Sequence, residues 1–169
     1  MHPSLKPDPL RKGSYYRRIE DIARALKILQ SDKLSETMLF LVLYFGCEKI
    51  ARGLVGIHAR LPAPEAYRPG RRIQLKDIKA SAAALGLSVL EQDLAWLFAG
   101  DRQQHMLRPT SAITNSARYL RNNLTHDFGP TNVARITQHA PFLNPKMKSF
   151  LGCVPKILAY QRAHFSRIP

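Results

Sequence analysis

Apolar residues recur at helical spacing along most of the chain, and this pattern constrains the fold more than any other feature. Ile19, Ile22, Leu26 and Leu29 give a first helix one apolar face, and a longer helical pattern follows over residues 35–58. No stretch shows sustained alternation of apolar and polar residues, the pattern of a half-buried strand. The sequence therefore predicts an all-α protein, an up-and-down helical bundle of about five to seven helices.

Short polar residues, glycine and proline indicate where the helices begin and end. Ser35 and Ser88 are expected N-caps, and Pro145 is an expected first-turn residue, with a kink near Pro155. The expected helices begin at residue 14 and then span residues 35–58, 75–85, 89–99, 109–126, 131–139 and 144–165. Gly-Pro at 129–130 is expected to stop the helix that ends at residue 126.

The chain reads as one domain preceded by a short tail. Residues 1–13 hold three prolines and are expected to be a flexible N-terminal tail, and residues 14–169 a single helical domain. The longest apolar stretch, residues 38–47, is about half the ~20 residues that a membrane span needs, so it predicts a buried helix and no membrane partner. Cys47 and Cys153 lie in apolar helical patterns and are expected to be reduced core thiols. With no secretion signal visible, we expect a cytoplasmic protein.

The charge of the chain is strongly positive. There are 26 Lys and Arg residues against 12 Asp and Glu, a formal net charge of +14. Such a field favours binding to RNA, DNA or an anionic membrane surface; a solubility charge or an acidic protein partner are the alternatives. Four arginines lie in the connector 60–73, which is a candidate RNA-binding loop or, equally, a solvated linker: Arg60, Arg68, Arg71 and Arg72.

Common catalytic and cofactor motifs are missing from the sequence. It has neither of the glycine-rich patterns that form phosphate-binding loops. The two cysteines are about a hundred residues apart, and no histidine pair has the spacing of zinc ligands, so we expect no metal and no other cofactor.

One segment at the end of the expected fifth helix stands out, and it reads R-N-N-L-T-H over residues 121–126. Arg121, Asn122 and His126 there resemble the active-site motif of the HEPN superfamily, all-helical proteins that include many RNA-cleaving toxins and defence effectors. The motif has an arginine, usually a polar residue next, and a histidine a few positions later, on a late helix of a bundle. A large subgroup has His-x-Tyr, whereas this chain has Phe128 in place of the tyrosine, so control by modification of that tyrosine does not carry over.

The resemblance implies a homodimer with a composite catalytic cleft. Residues five apart on a helix are separated by about 7.5 Å of rise and about 140° of rotation, so one helix does not aim Arg121 and His126 at one phosphate. Two copies meeting across a two-fold axis would bring both residue types together. Arg121 would bind a phosphate and stabilise developing charge, and His126 would transfer a proton to or from the RNA. Asn122 would orient His126 or a phosphate oxygen.

The sequence thus predicts a metal-independent endoribonuclease in which the 2′-hydroxyl of RNA is the nucleophile. We assign RNA binding to Arg118, Arg68, Arg71 and Arg72. The resemblance alone suggests a toxin–antitoxin or phage-defence setting, with an antitoxin or other regulatory protein as partner.

Alternative interpretations remain open at this stage. One is that Arg121 and His126 form only a solvated helix end, with His126 as a capping residue. Two others concern the whole chain: a non-catalytic helical module for nucleic acid or an acidic protein, and a purely structural interaction protein. Glu48 and Arg52 have the spacing of an ordinary i, i+4 salt bridge and receive no role, and Trp96 and Phe98 are expected in the core.

Overall fold

The computed structural model describes residues 16–30, 33–61, 63–89 and 91–165, and this part of the chain contains helices and no strand. The elements are α1 (Tyr16–Gln30), α2 (Glu36–His58), α3 (Ala63–Ala66), α4 (Leu75–Ala84), α5 (Glu91–Phe98), α6 (Ala117–His126), α7 (Pro130–Leu151) and α8 (Val154–Phe165). The α3 helix is a single turn, and a 3₁₀ helix at Asp101–Met106 precedes α6. The all-α bundle that the periodicity predicts is confirmed. The predicted N-terminal tail and its helix start at residue 14 lie outside the described residues.

The two longest helices, α2 and α7, form the centre of the bundle. They make the most extensive contact between any two described elements. Cys47 illustrates this contact, because its fully buried thiol donates to the Met147 carbonyl at 3.6 Å. Burial raises the pKa of Cys47, which keeps it a neutral thiol. The apolar run at residues 38–47 belongs to α2, and none of the described helices is both long and apolar enough to span a bilayer.

Several predicted helix boundaries are confirmed. The Ser35 hydroxyl accepts a hydrogen bond from the Met38 N–H at 3.3 Å, so Ser35 caps α2. The predicted ends of α2 and α6, at residues 58 and 126, are those observed. Gly86, which follows the C-cap Leu85 of α4, has φ +62°, a left-handed conformation that glycine adopts without strain. Trp96 and Phe98 are buried as predicted, and they pack edge-on against Phe142 and Phe150.

Two predicted helix starts are wrong. The fourth predicted helix begins at Glu91 rather than at residue 89, so Ser88 does not cap it. The fifth begins at Ala117 rather than at residue 109, and residues 107–116 form an irregular loop. Pro109 is an acceptable first-turn residue, but the side chain that caps this helix is Ser116.

The predicted break in the second half of the chain is also wrong, because α7 continues through Pro141 and Pro145. Each proline removes a backbone hydrogen bond within a helix, which ordinarily destabilises it by about 3 kcal/mol. Both prolines lie on the exposed side, while the opposite face buries Ile136, Leu143 and Phe150. That burial stabilises the continuous helix. Rather than kinking the last helix, Pro155 lies in the first turn of α8, after a separate turn at 152–153.

Candidate functional site

Ser116 fixes the start of α6, the helix that carries the candidate motif. Its hydroxyl accepts from the Tyr119 N–H at 3.1 Å and donates to the Ala99 carbonyl at 2.6 Å. The Gln104 side chain donates to the same hydroxyl and accepts from the Ser116 N–H, both at 3.1 Å. These bonds hold residues 99–104, which include the start of the 3₁₀ helix, against the first turn of α6.

Asn132 fixes the other end of α6. This buried residue of α7 donates to the Asp127 carbonyl at 2.8 Å, directly after the last helical residue, His126. Gly129 and Pro130 then start α7, with the proline at a first-turn position where no N–H is needed. The His126 side chain is exposed. The backbone that carries it is held in place by these contacts.

Arg121 lies on the side of α6 that faces α2. Its Nη2 donates to Glu48 Oε2 at 2.7 Å, and the Arg52 Nη2 donates to the other oxygen of the same carboxylate at 3.1 Å. The three side chains are only 13–20% exposed. Glu48 thus bridges two arginines, one four residues ahead of it on α2 and one on another helix.

The Arg121 guanidinium also stacks on an aromatic ring. Its Cζ lies 5.2 Å from the centroid of the Tyr44 ring, while its Nε is buried without a hydrogen-bond partner. Burial, reinforced by the charge of Glu48, raises the pKa of Tyr44 to about 12. Tyr44 is therefore a neutral phenol near pH 7 and is not a base for catalysis. The pair of contacts fixes the direction in which Arg121 points.

His126 and Asn122 lie on a different side of α6, together with Arg118. The three residues are spaced four apart and line one wall of an open groove of about 680 Å³. Arg121 is not among the described lining residues of this groove. The helical rotation that the sequence implied therefore separates Arg121 from His126 within one chain.

The other walls of the groove are the segments 72–74 and 100–103. Arg118 joins α6 to the first of them, since its Nη1 donates to the Ile73 carbonyl at 2.7 Å. Arg72 and Arg102 are exposed and add two more cationic side chains, and Asp101 is the one acidic residue among the described lining residues. The groove is therefore a basic, polar surface next to His126.

The remaining predicted RNA-binding residues lie elsewhere. Arg71 Nη1 donates to Glu65 at 2.8 Å, and the Arg71 carbonyl accepts from Arg52. Arg68 is exposed. Neither is among the groove residues that the structure describes, so only two of the four predicted RNA-binding arginines, Arg72 and Arg118, line the groove with His126.

His139 is a buried histidine that is hydrogen-bonded to the backbone on both sides of its ring. Its Nδ1 lies 2.8 Å from the Arg135 carbonyl and donates to it, while Nε2 accepts from the N–H groups of Thr114 (3.1 Å) and Asn115 (3.3 Å). This pattern requires the neutral ring. Burial lowers the pKa of His139 and so favours that form.

Two residues of the site were missed by the sequence reasoning. The Glu48–Arg52 pair forms as its spacing suggested, but the contact of Glu48 with Arg121 joins positions far apart in sequence and has no local signal. Arg102 lies in the 3₁₀ helix that precedes α6, and only the packing of that helix brings it into the groove with His126.

Comparison of the chain with family models, with curated proteins and with solved structures gives no match.

Proposed function

We propose that this protein is a metal-independent endoribonuclease of the HEPN type that acts as a homodimer. The observation that carries the proposal is the arrangement at the C-terminal end of α6. His126 and Asn122 line a basic groove there, and Arg121 lies on the adjoining side of the same helix, oriented by Glu48. The groove supplies positive charge for a polyanion, and the motif supplies the groups that RNA cleavage needs.

In the proposed reaction, the 2′-hydroxyl of one nucleotide attacks the adjacent phosphorus. A bond forms from the 2′-oxygen to phosphorus, the bond to the 5′-oxygen breaks, and a 2′,3′-cyclic phosphate remains. One His126 would accept the 2′-hydroxyl proton and the His126 of the second copy would donate a proton to the leaving 5′-oxygen. Arg121 would stabilise the negative charge that develops on the phosphate oxygens.

The homodimer is part of the proposal because the two motif residues point in different directions within one chain. Two phenylalanines that are close in sequence to residues of the site are exposed: Phe45, 53% exposed, lies one turn before Glu48, and Phe128, 84% exposed, lies two residues after His126. A second copy that covered these rings would bury apolar surface and bring a second Arg121 and His126 to the cleft.

The test of catalysis is incubation of the purified protein with single-stranded RNA in EDTA. We expect cleavage with cyclic-phosphate ends, none on DNA, and a loss of at least about a hundredfold in His126→Ala. His105→Ala is the matched control, because His105 is exposed and is not among the described groove residues. Arg121→Lys keeps the charge beside Glu48 but loses the guanidinium fork, and it should lose activity while remaining folded.

The catalytic proposal fails if RNA stays intact, or if His126→Ala and Arg121→Lys both cleave at the parent rate. Circular dichroism of each variant separates a loss of activity from a loss of fold.

A second candidate function is a non-catalytic helical module that binds nucleic acid or an acidic partner. It is favoured by the pairing of Arg121 with Glu48, because a carboxylate already occupies part of the guanidinium that a phosphate would use. Salt-sensitive RNA binding without cleavage would support this function instead.

The biological setting is the last part of the proposal. The HEPN resemblance suggests a cytoplasmic toxin or phage-defence effector, restrained by an antitoxin or another regulatory protein. Expression of the parent and of His126→Ala in separate cultures tests this, since only a catalytically active toxin should arrest growth.

A further inference from the structure

The groove beside His126 has walls that are held in place by hydrogen bonds. On one side, Arg118 donates to the Ile73 carbonyl at 2.7 Å and to the Phe98 carbonyl at 3.4 Å. On the other, the Gln104 side chain donates to the Gly100 carbonyl at 3.1 Å as well as to Ser116. The shape of the groove is therefore set before any ligand binds, which lowers the cost of binding.

The cationic side chains of the groove differ in what they contact. Arg118 is half-buried and its guanidinium is bonded to backbone carbonyls, so it contributes positive charge to the groove lining. Arg72 and Arg102 are exposed and lie in the two other lining segments, 72–74 and 100–103. Neither forms a salt bridge with any carboxylate that the structure describes. Exposed arginines that line one groove favour phosphate groups as ligands.

We propose that this groove is the binding site for a single RNA strand next to the scissile phosphate, with Arg72 and Arg102 each binding a phosphate of a flanking nucleotide. The inference rests on the proposed ribonuclease function and specifies the substrate class for the same site. It adds Arg102 to the RNA-binding residues and leaves Arg68 and Arg71 outside the strand path.

The size and the chemistry of the groove both favour a single strand over a duplex. Its volume of about 680 Å³ is that of a small-ligand site, about 300–1,000 Å³, enough for roughly one or two nucleotides. Gln74, Gln103 and Asn122 line it with side-chain amides. Amides suit exposed base edges or ribose hydroxyls, which a duplex would keep paired or out of reach; Gln103 would offer its NH₂, because its Oε1 accepts from the Gly100 N–H at 3.1 Å. Attack by a 2′-hydroxyl in line with the leaving oxygen also requires the freedom of an unpaired strand.

The experiment measures binding separately from cleavage. The full-length protein is titrated into a labelled, single-stranded 2′-O-methyl RNA, which lacks the nucleophile, and anisotropy is recorded over a range of salt concentrations. Arg72→Ala and Arg102→Ala should each weaken binding about fivefold and reduce the slope of log K against log salt by about 0.7, one phosphate contact each. Arg24→Ala on α1 is the matched control, an exposed arginine that is not among the described groove residues, and should stay within about twofold of the parent.

Competition identifies the ligand. An unlabelled single strand should displace the probe at least about tenfold more effectively than a duplex of the same sequence, a 5′-mononucleotide or polyglutamate. Equal displacement by the duplex, by the mononucleotide or by polyglutamate would overturn the single-strand assignment, in favour of duplex RNA, a free nucleotide or an acidic protein respectively.

The proposal is also overturned if Arg72→Ala and Arg102→Ala bind the probe like the parent. The two proposals fail separately. Normal groove-dependent binding with no RNA cleavage refutes the ribonuclease function alone, and cleavage that is insensitive to both substitutions refutes the groove assignment alone.

Discussion

Glu48 and Arg121 should be energetically coupled in their contributions to stability, and a double-mutant cycle measures that coupling. The carboxylate accepts charged hydrogen bonds from Arg121 at 2.7 Å and from Arg52 at 3.1 Å, with both partners mostly buried. In Glu48→Gln, one amide oxygen remains to accept a bond, while the amide NH₂ faces the second guanidinium. Two cations then remain partly buried without their counter-charge.

The expected loss follows from these contacts. A hydrogen bond to a charged group contributes about 1.5–3 kcal/mol, and removing one partner of a fully buried ion pair costs about 3–5 kcal/mol. Glu48 and Arg121 are each 20% exposed, so solvent screens part of the interaction. We therefore expect Glu48→Gln to lower the free energy of unfolding by about 2 kcal/mol.

The assay is urea denaturation of the parent, Glu48→Gln, Arg121→Met and the double variant. The methionine keeps an apolar stem against Tyr44 while removing the charge. We expect a coupling energy of about 1 kcal/mol or more between the two positions. Glu65→Gln is the control, because its pair with Arg71 is 33–46% exposed and should contribute less than about 0.5 kcal/mol. A coupling below about 0.3 kcal/mol, the level of independent sites, would show that Glu48 and Arg121 do not stabilise each other.

Three further predictions concern other parts of the molecule. The pKa of His139 is held below its ordinary value of 6.5, so its contribution to stability should be complete above pH 6.5 and be lost as the pH falls below it. Urea denaturation at several pH values should show this loss of unfolding free energy in the parent but not in His139→Gln. Equal dependence of the unfolding free energy on pH in the two proteins would contradict it. Ser116→Ala removes the α6 cap and one of the two donors to the Ala99 carbonyl, which keeps only the bond from Gln104 Nε2 at 3.2 Å. It should lower the free energy of unfolding by about 2 kcal/mol in the same assay, and a loss below about 0.5 kcal/mol would be inconsistent with this role. Phe45→Lys and Phe128→Lys should each raise the dimer dissociation constant at least about tenfold in sedimentation equilibrium, and a parent protein that stays monomeric at high micromolar concentration would remove the basis for a composite cleft.

Local sequence patterns were sufficient for much of the fold. The end of α2 at residue 58, its cap at Ser35 and the end of α6 at residue 126 were all predictable, because capping side chains and Gly-Pro pairs act within a few residues. The start of α6 was not, because Ser116 and Pro109 both carry start signals. The choice of Ser116 depends on Gln104 and Ala99, which bind its hydroxyl from a separate loop. The same applies to α7, whose prolines indicated a break that the burial of its opposite face overrides.

The candidate site also has one feature that follows from local sequence and others that depend on tertiary packing. A helical period fixes the angle between residues five apart, so the sequence was enough to place Arg121 and His126 on different sides of one helix. The partners of these two residues come from elsewhere in the chain. Arg121 contacts Glu48, 73 positions away in sequence, and His126 lies in a groove with Arg102, which belongs to the 3₁₀ helix before α6. Such partners are set by how helices and loops pack together, which depends on the whole apolar core rather than on any local pattern.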